Sequence, residues 1–320
     1  MTTELWGDKP YYSLDAFLKN TYGEKLYKIA VDAGFTCPNR DGTLGREGCL
    51  FCSAGGSGDY ADKTAEHLSV TDQITAGKAL FHQKQIGQRF IVYFQAYTNT
   101  YGPLPLLQTL YTEALREPST AGISIATRPD CVSEEIVTML VNLKKSFPDK
   151  FVWIELGLQT IHQQTADFIR RGYPLSVYDY CVTLLQQAHI PVVTHIILGL
   201  PGETSEHMRS TIDHLNQTGT WGVKLQLLHV LRDTGLARLY NEGHYSPLSQ
   251  EAYINLVIDC LERLSPETVI HRLTGDGPRS LLLAPLWSLD KRKVLNMIHH
   301  TMKLRASCQG RLYERHFHES

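Results

Sequence analysis

Pro191-Val192-Val193-Thr194-His195-Ile196-Ile197-Leu198-Gly199-Leu200-Pro201-Gly202-Glu203-Thr204-Ser205-Glu206-His207-Met208 reads as a strand that turns through a glycine-bearing corner into a helix. Its first eight residues are rich in Val, Ile and Leu without regular polar alternation, as in a parallel strand covered on both faces. Ser205 followed by Glu206 has the N-cap and early acid of a helix start. The same unit recurs along the chain. Leu26–Val31, Phe90–Gln95, Gly122–Ala126, Phe151–Gly157 and Gly222–Leu228 read as strands, and helical patterns lie near 71–85, 104–116, 133–145, 177–188 and 205–217. Such alternation implies a parallel sheet with crossover helices. Six units fit an incomplete, TIM-like (β/α)6 barrel, with a doubly wound open sheet as the competitor. Either fold puts its ligand at the C-terminal ends of the strands. Beyond about residue 240 the pattern becomes mainly helical without clear strand pairs, so residues 1–240 are expected to form the barrel with its N-terminal segment and 241–320 a C-terminal extension.

The composition agrees. Of 320 residues 42% are apolar and 20% charged, a globular balance with ample material for a core. A net charge of -2 gives no global field toward nucleic acid or membrane, so any polyanion contact needs a local patch. Met1-Thr2-Thr3-Glu4-Leu5-Trp6 lacks the apolar region of an export signal, and no window resembles a membrane span. The expected location is the cytoplasm.

Seven cysteines without an export signal favour metal or catalytic use of a subset over a disulfide framework. Cys37, Cys49 and Cys52 fall together just after the first strand, with a Gly-rich stretch between them. Cys131, Cys181, Cys260 and Cys308 are isolated and read as small hydrophobes. Three thiolates and one open position suit a [4Fe–4S] cluster whose fourth iron binds something else. Zinc completed by His67 or a distant residue is the second reading, and three buried thiols without function the third.

Polar motifs occupy the other strand ends. They are Gln95-Ala96-Tyr97-Thr98-Asn99, Thr127-Arg128-Pro129-Asp130, Glu155-Leu156-Gly157-Leu158-Gln159 with Arg170-Arg171-Gly172 beyond it, and His195 through Gly202. With the thiol cluster, these motifs resemble the radical S-adenosylmethionine (SAM) superfamily over residues 25–235. Within it the chain is most similar to proteins related to the radical domain of the Elongator catalytic subunit, in a bacterial subfamily marked by the long Cys37-Pro38-Asn39-Arg40-Asp41-Gly42-Thr43 loop. Two departures stand out. Eleven residues separate Cys37 from Cys49, longer than the superfamily's usual first spacing, and Ala126 stands where relatives often carry an acid.

The resemblance implies that Cys37, Cys49 and Cys52 hold three irons of a [4Fe–4S] cluster and that SAM chelates the fourth. It places Phe51 beside the adenine, Thr98 and Asn99 at the SAM amino group, and Gln159 and Arg171 at its polar groups, Arg171 suiting the carboxylate. Gly199 lets backbone approach the adenine. Glu155 and His195 are candidates for cofactor contact or for catalysis, and each reads equally as a satisfied buried polar residue. The implied chemistry is hydrogen abstraction by a 5′-deoxyadenosyl radical, fed by a low-potential electron donor such as flavodoxin or ferredoxin.

The implied substrate is tRNA. The expected reaction converts wobble 5-carboxymethylaminomethyluridine, or its 2-thio form, to 5-aminomethyluridine. Residues 291–320 offer a basic stripe, Lys291, Arg292, Lys293, Lys303, Arg305, Arg311 and Arg315, interleaved with histidines and Tyr313. Such a stripe meets phosphates or is simply a solvated helix face. The loop from His271 to Arg279 either closes over the site or is an ordinary connection. Two alternatives are a radical SAM oxidase of a small molecule, like the porphyrinogen oxidases, and a zinc-stabilised RNA-binding adaptor without catalysis.

Overall fold

In the computed structural model every expected strand and helix forms, with ends shifted by a few residues. The structure describes residues 3–56, 69–82, 88–275 and 277–314. Met1, Thr2, His67, Gln85, Asp276 and Arg315–Ser320 lie outside them. In chain order the elements are α1 (Leu14–Tyr22), β1 (Tyr27–Val31), α2 (Val70–His82), β2 (Phe90–Phe94), α3 (Leu104–Arg116), β3 (Thr120–Thr127), α4 (Glu134–Ser146), β4 (Phe151–Gln159) and α5 (Gln163–Phe168). There follow α6 (Leu175–Gln187), β5 (Val192–Leu198), α7 (Ser205–Thr218), β6 (Gly222–Leu227), β7 (Val230–Leu231), α8 (Gly235–Asn241), α9 (Gln250–Arg263), β8 (Val269–Arg272), β9 (Leu282–Ala284) and α10 (Lys291–Leu304).

One sheet has the order β1-β2-β3-β4-β5-β6-β8, and every neighbouring pair in it is parallel. The seventh strand is a correction to the expectation of no strand pairs beyond residue 240. β8 comes from that region and pairs with β6, while β9 pairs antiparallel with β7. The C-terminal part therefore contributes to the barrel wall as well as packing on it.

The sheet curls into a partial barrel. Lys28 of β1 reaches Glu155 of β4 at 2.6 Å, and Lys224 of β6 meets the same carboxylate. In a flat sheet β1 and β6 would stand about 24 Å apart at five strand spacings of about 4.8 Å. Their side chains converge only because the sheet bends around them, which excludes the open doubly wound arrangement.

Side chains alternate across the wall. On β4, Val152, Ile154, Leu156 and Leu158 join the large core beneath the helices, while Trp153, Glu155, Gly157 and Gln159 turn inward. Leu18 of α1 packs with Leu26, Ile91, Ala121, Trp153 and Val193 and plugs the end of the barrel away from the site. Ser13 caps α1 through its hydroxyl and bridges to Ile270 on β8, and the Ile270 N–H donates to the Tyr12 carbonyl at 2.7 Å. The β8 edge of the sheet is thereby covered at Ile270. The cap of α7 is Thr204, one residue before the expected Ser205, with His207 completing a capping box. Among the described residues no helix is long and apolar enough to cross a membrane.

Candidate active site

The loop after β1 is fastened by its own polar residues. Asn39 donates its amide to the Arg170 carbonyl at 2.7 Å. Arg40 donates to the carbonyls of Cys52 at 3.1 Å and Ser53 at 2.5 Å, tying the two ends of the loop together. Gly48 has φ +74°, and a Cβ there would lie 2.9 Å from the Arg40 guanidinium. Leu50 is buried in a cluster with Ile169, Leu200, Leu228 and Leu236. Its N–H donates to the Ile169 carbonyl at 3.0 Å, and its own carbonyl accepts from Leu236 at 2.9 Å. The Cys-Pro-Asn-Arg stretch thus encodes a clasp across the C-terminal ends of the strands. In sequence these residues mark a subfamily by the length of their loop; the clasp they form shows only in the fold.

Beneath the clasp lies a cavity of about 320 Å³, and Cys37, Cys49 and Cys52 all line it. Phe51, Thr98, Glu155, Gln159, Arg171 and His195 line it too. Asn99 and Gly199 do not. Asn99 is fully buried and spends its amide on the carbonyls of Ala96 at 3.1 Å and Ala126 at 3.0 Å. Gly199, at φ +90°, faces Leu248, which a Cβ would approach to 3.1 Å, and its carbonyl accepts the Tyr245 hydroxyl at 2.9 Å. That glycine lets the C-terminal part pack closely against the barrel.

Gln159 is aimed by backbone irregularity. The β4–β5 register slips between Gly157 and Gln159, and Gln159 sits in the left-handed region at φ 63°. Bulges of this kind re-aim side chains beside sites. The Arg171 guanidinium is buried and donates to the carbonyls of Tyr173 at 3.0 Å, Leu158 at 3.0 Å and Thr160 at 2.5 Å. Its Nη2 has no partner in the structure. A buried, unpaired guanidinium nitrogen on a cavity wall is costly unless an acceptor completes it.

The floor is a buried charge network in which Glu155 and His195 are satisfied buried polar residues, one of the two readings their sequence allows, and Lys28 and Lys224 are the partners it does not disclose. Glu155 accepts from Lys28 at 2.6 Å, from Ser124 at 2.6 Å, from His195 Nε2 at 2.7 Å and from Lys224. Ser124 in turn accepts the Trp153 indole N–H at 2.5 Å. Burial alone would raise the Glu155 carboxyl, but Lys224, Lys28 and His195 overcome it and hold the group well below the usual carboxylate range. Burial, reinforced by Lys224, lowers His195 to about 4. The neutral ring donates through Nε2 to Glu155, while Nδ1 faces the Gln226 amide at 3.5 Å. Ala126 is the register partner of Glu155, so the acid expected at 126 is absent beside the carboxylate that is present.

The donor set fits an iron–sulfur cluster with SAM. Burial, with Cys52 adding to it, pushes the Cys49 thiol up to about 12, and the Asn39 amide at 3.4 Å opposes that rise. A bound metal centre would deprotonate such a thiol. Among the described residues no three His, Cys, Asp or Glu side chains are gathered to hold a single ion. Cluster thiolates each hold a different iron and stand farther apart than the ligands of one ion. The unpartnered Arg171 Nη2 on the same wall suits a carboxylate such as that of SAM.

Comparison with known proteins agrees with this geometry. The chain matches the Radical SAM superfamily over residues 37–215 and the Radical_SAM C-terminal domain over residues 220–304. It is similar to the protein YtqA of Bacillus subtilis (strain 168), with 40% identity over 313 residues covering 98% of this chain and 96% of that one. It is also similar to Elongator complex protein 3 of Schizosaccharomyces pombe, with 27% identity over 170 residues, 52% of this chain and 30% of that protein. Among solved structures, the Elp3 of the archaeon Methanocaldococcus infernus, lacking its N-terminus, shares the fold with a TM-score of 0.68 at 14% identity, over 89% of this chain and 64% of that one.

Proposed function

The chain belongs to the radical SAM superfamily, and on that premise we propose that it modifies tRNA, shortening the side chain of a wobble 5-carboxymethylaminomethyluridine to 5-aminomethyluridine. The observation that carries this reading is the clasped loop whose three thiols line one cavity together with Arg171, a guanidinium with an unpartnered buried nitrogen. In it, Cys37, Cys49 and Cys52 hold the cluster, and Arg171 and Gln159 hold SAM. When bound, these groups supply a 5′-deoxyadenosyl radical able to take hydrogen from an unactivated carbon.

The chain's own part is placement and exclusion. Phe51 and the clasp shut one side of the cavity, and the floor network keeps its polar groups mutually satisfied. A substrate carbon admitted there is held dry and close to the reacting centre. Loss of hydrogen from the carboxymethyl CH₂, followed by transfer of one electron to an iron–sulfur or flavin acceptor and loss of a proton, gives an imine. Water then splits it into the free amine and glyoxylate.

Two observations support an RNA substrate. The chain is similar to Elongator complex protein 3 across half its length, and α10 exposes Arg292, Lys293 and Lys303 to solvent. Not all of the expected stripe is free, since Arg305 binds Asn255 at 2.6 Å and Arg311 pairs with Glu262 at 2.9 Å. In this reading residues 241–320 are the part that meets RNA.

The test is anaerobic incubation of cluster-loaded protein with SAM, a low-potential reductant and tRNA carrying the carboxymethylaminomethyl nucleoside, followed by nucleoside mass analysis. The expected product is the aminomethyl nucleoside. Protein that cleaves SAM reductively yet leaves the nucleoside mass unchanged would overturn the reading.

A further inference from the structure

The seventh strand of the barrel carries a bulge at the cavity. Gly222 pairs with Val269 and Val223 with Ile270, but Lys224 pairs with Arg272, so His271 is an extra residue. Two residues opposing one allow neighbours in sequence to share a face. His271 lies edge-on to Trp153 and Trp221, with ring centroids at 5.5 and 5.1 Å, while Arg272 lines the cavity.

Arg272 brings a charge that the described residues leave uncompensated. Its hydrogen bond runs from Nη1 to Gln226 Oε1 at 3.4 Å. Glu155 is the one carboxylate among the described residues lining the cavity, and Lys28, Lys224, His195 and Ser124 already occupy it. Of the other lining arginines, Arg128 is engaged by Asp130 at 2.7 Å and Arg40 by backbone carbonyls, while Arg171 gives Nε and Nη1 to carbonyls and keeps its buried Nη2 for the SAM carboxylate in the reading above. A half-buried guanidinium on the cavity wall, with spare N–H donors, is built for an oxyanion, and a planar carboxylate matches its fork bidentately.

We propose that Arg272, steadied by Gln226, is the receptor for a carboxylate at the tip of the substrate's side chain. This rests on the reading above, in which that carboxylate belongs to the carboxymethyl group. The site then selects for the acid. The acid gains a charge-assisted pair with Arg272, a pair that the shortened product, which has lost the carboxylate, cannot make.

The test uses full-length, cluster-loaded protein with SAM and no reductant, so that binding is read apart from reaction. The probes are anticodon stem-loop RNAs carrying either the carboxymethylaminomethyl nucleoside or its neutral carboxamide. Wild type is expected to prefer the acid by at least about tenfold in Kd. Arg272→Gln should bring the ratio close to one, and Arg272→Lys should restore part of it. A ratio is insensitive to how much protein is folded. An unchanged ratio in Arg272→Gln, or no preference in wild type, overturns the proposal. So does a tenfold weaker SAM titration in Arg272→Gln, which would assign the guanidinium to the cofactor. Adding reductant then tests the reaction separately: acid preference that depends on Arg272 without side-chain shortening keeps the receptor and removes the reaction.

Discussion

Lys28 on β1 and Glu155 on β4 meet at 2.6 Å inside the barrel, 127 residues apart in sequence. The same carboxylate compensates Lys224, which is almost wholly buried. Removing one member of a buried ion cluster leaves the others uncompensated, at a cost of about 3–5 kcal/mol. Glu155→Gln, which abandons two lysines, is expected to lower the melting temperature by on the order of 10 °C. Adding Lys224→Met should recover part of that loss, because one stranded charge goes with it. Thermal unfolding at neutral pH measures both, and a shift below about 2 °C in the single variant would show that the network does not hold the barrel.

The same floor makes stability depend on pH. An unfolded histidine takes up a proton near 6.5, whereas burial and Lys224 hold His195 down to about 4. Between those values the unfolded chain binds more protons, so stability rises with pH across that window and falls on acidification, by about 3 kcal/mol in all. Glu155 acts lower: its contribution is complete above an unfolded carboxyl's pKa of about 4.3 and is lost as pH falls through its lower folded value. Urea unfolding of His195→Gln at pH 7 and pH 5 should show a smaller loss on acidification than wild type. Equal losses would mean that His195 is not the group responsible.

Iron retention should follow the clasp as closely as the thiols. Cys37→Ala, Cys49→Ala and Cys52→Ala are each expected to lose the visible absorption and most of the roughly four irons of a reconstituted [4Fe–4S] chain. Cys181→Ala and Cys260→Ala, buried in α6 and α9, should keep them. Asn39→Ala breaks the 2.7 Å bond to Arg170 and removes the amide 3.4 Å from the Cys49 sulfur, while leaving all three thiols in place. It is expected to fold normally but to take up iron more slowly and lose it faster to a chelator. Wild-type uptake in Asn39→Ala would show that the clasp does not organise the ligands.

The pattern of these elements explains what the sequence disclosed. The strands were legible because a wall buried on both faces reads as nearly continuous Val, Ile and Leu. That density hides the inward partners Lys28, Ser124 and Lys224, which join the legible Glu155 in a network only when the sheet curls. β8 was missed because it is four residues long and its partner, β6, is more than forty residues earlier. Spacing and resemblance single out the thiols, Gln159 and Arg171, and all of them line the cavity. Asn99 and Gly199 were chosen by the same route, but they sit one layer behind the cavity wall. Arg272 falls in the His271–Arg279 stretch that reads as a loop over the site or an ordinary connection, but it stands on β8, and its inward direction comes from a bulge defined by the neighbouring strand.

RNA recognition makes the most exposed prediction. Arg292, Lys293 and Lys303 lie at the surface on α10, whose Val294, Ile298 and Met302 pack inward. Asp290 caps the helix through the Lys293 N–H at 3.0 Å, a bond that replacing the lysine side chain leaves intact. Exchanging the three cations for Gln should therefore leave the fold unchanged while removing phosphate contacts. Each lost contact lowers the slope of log affinity against log salt by about one. The triple variant is expected to bind tRNA at least about tenfold more weakly at moderate salt, with a slope shallower by roughly two to three, and the same weakening for every tRNA sequence. Filter-binding titrations at three salt concentrations measure both quantities. An unchanged slope would free α10 of any role with RNA and send the search for the contact surface to the cysteine loop, where Arg46 stands exposed.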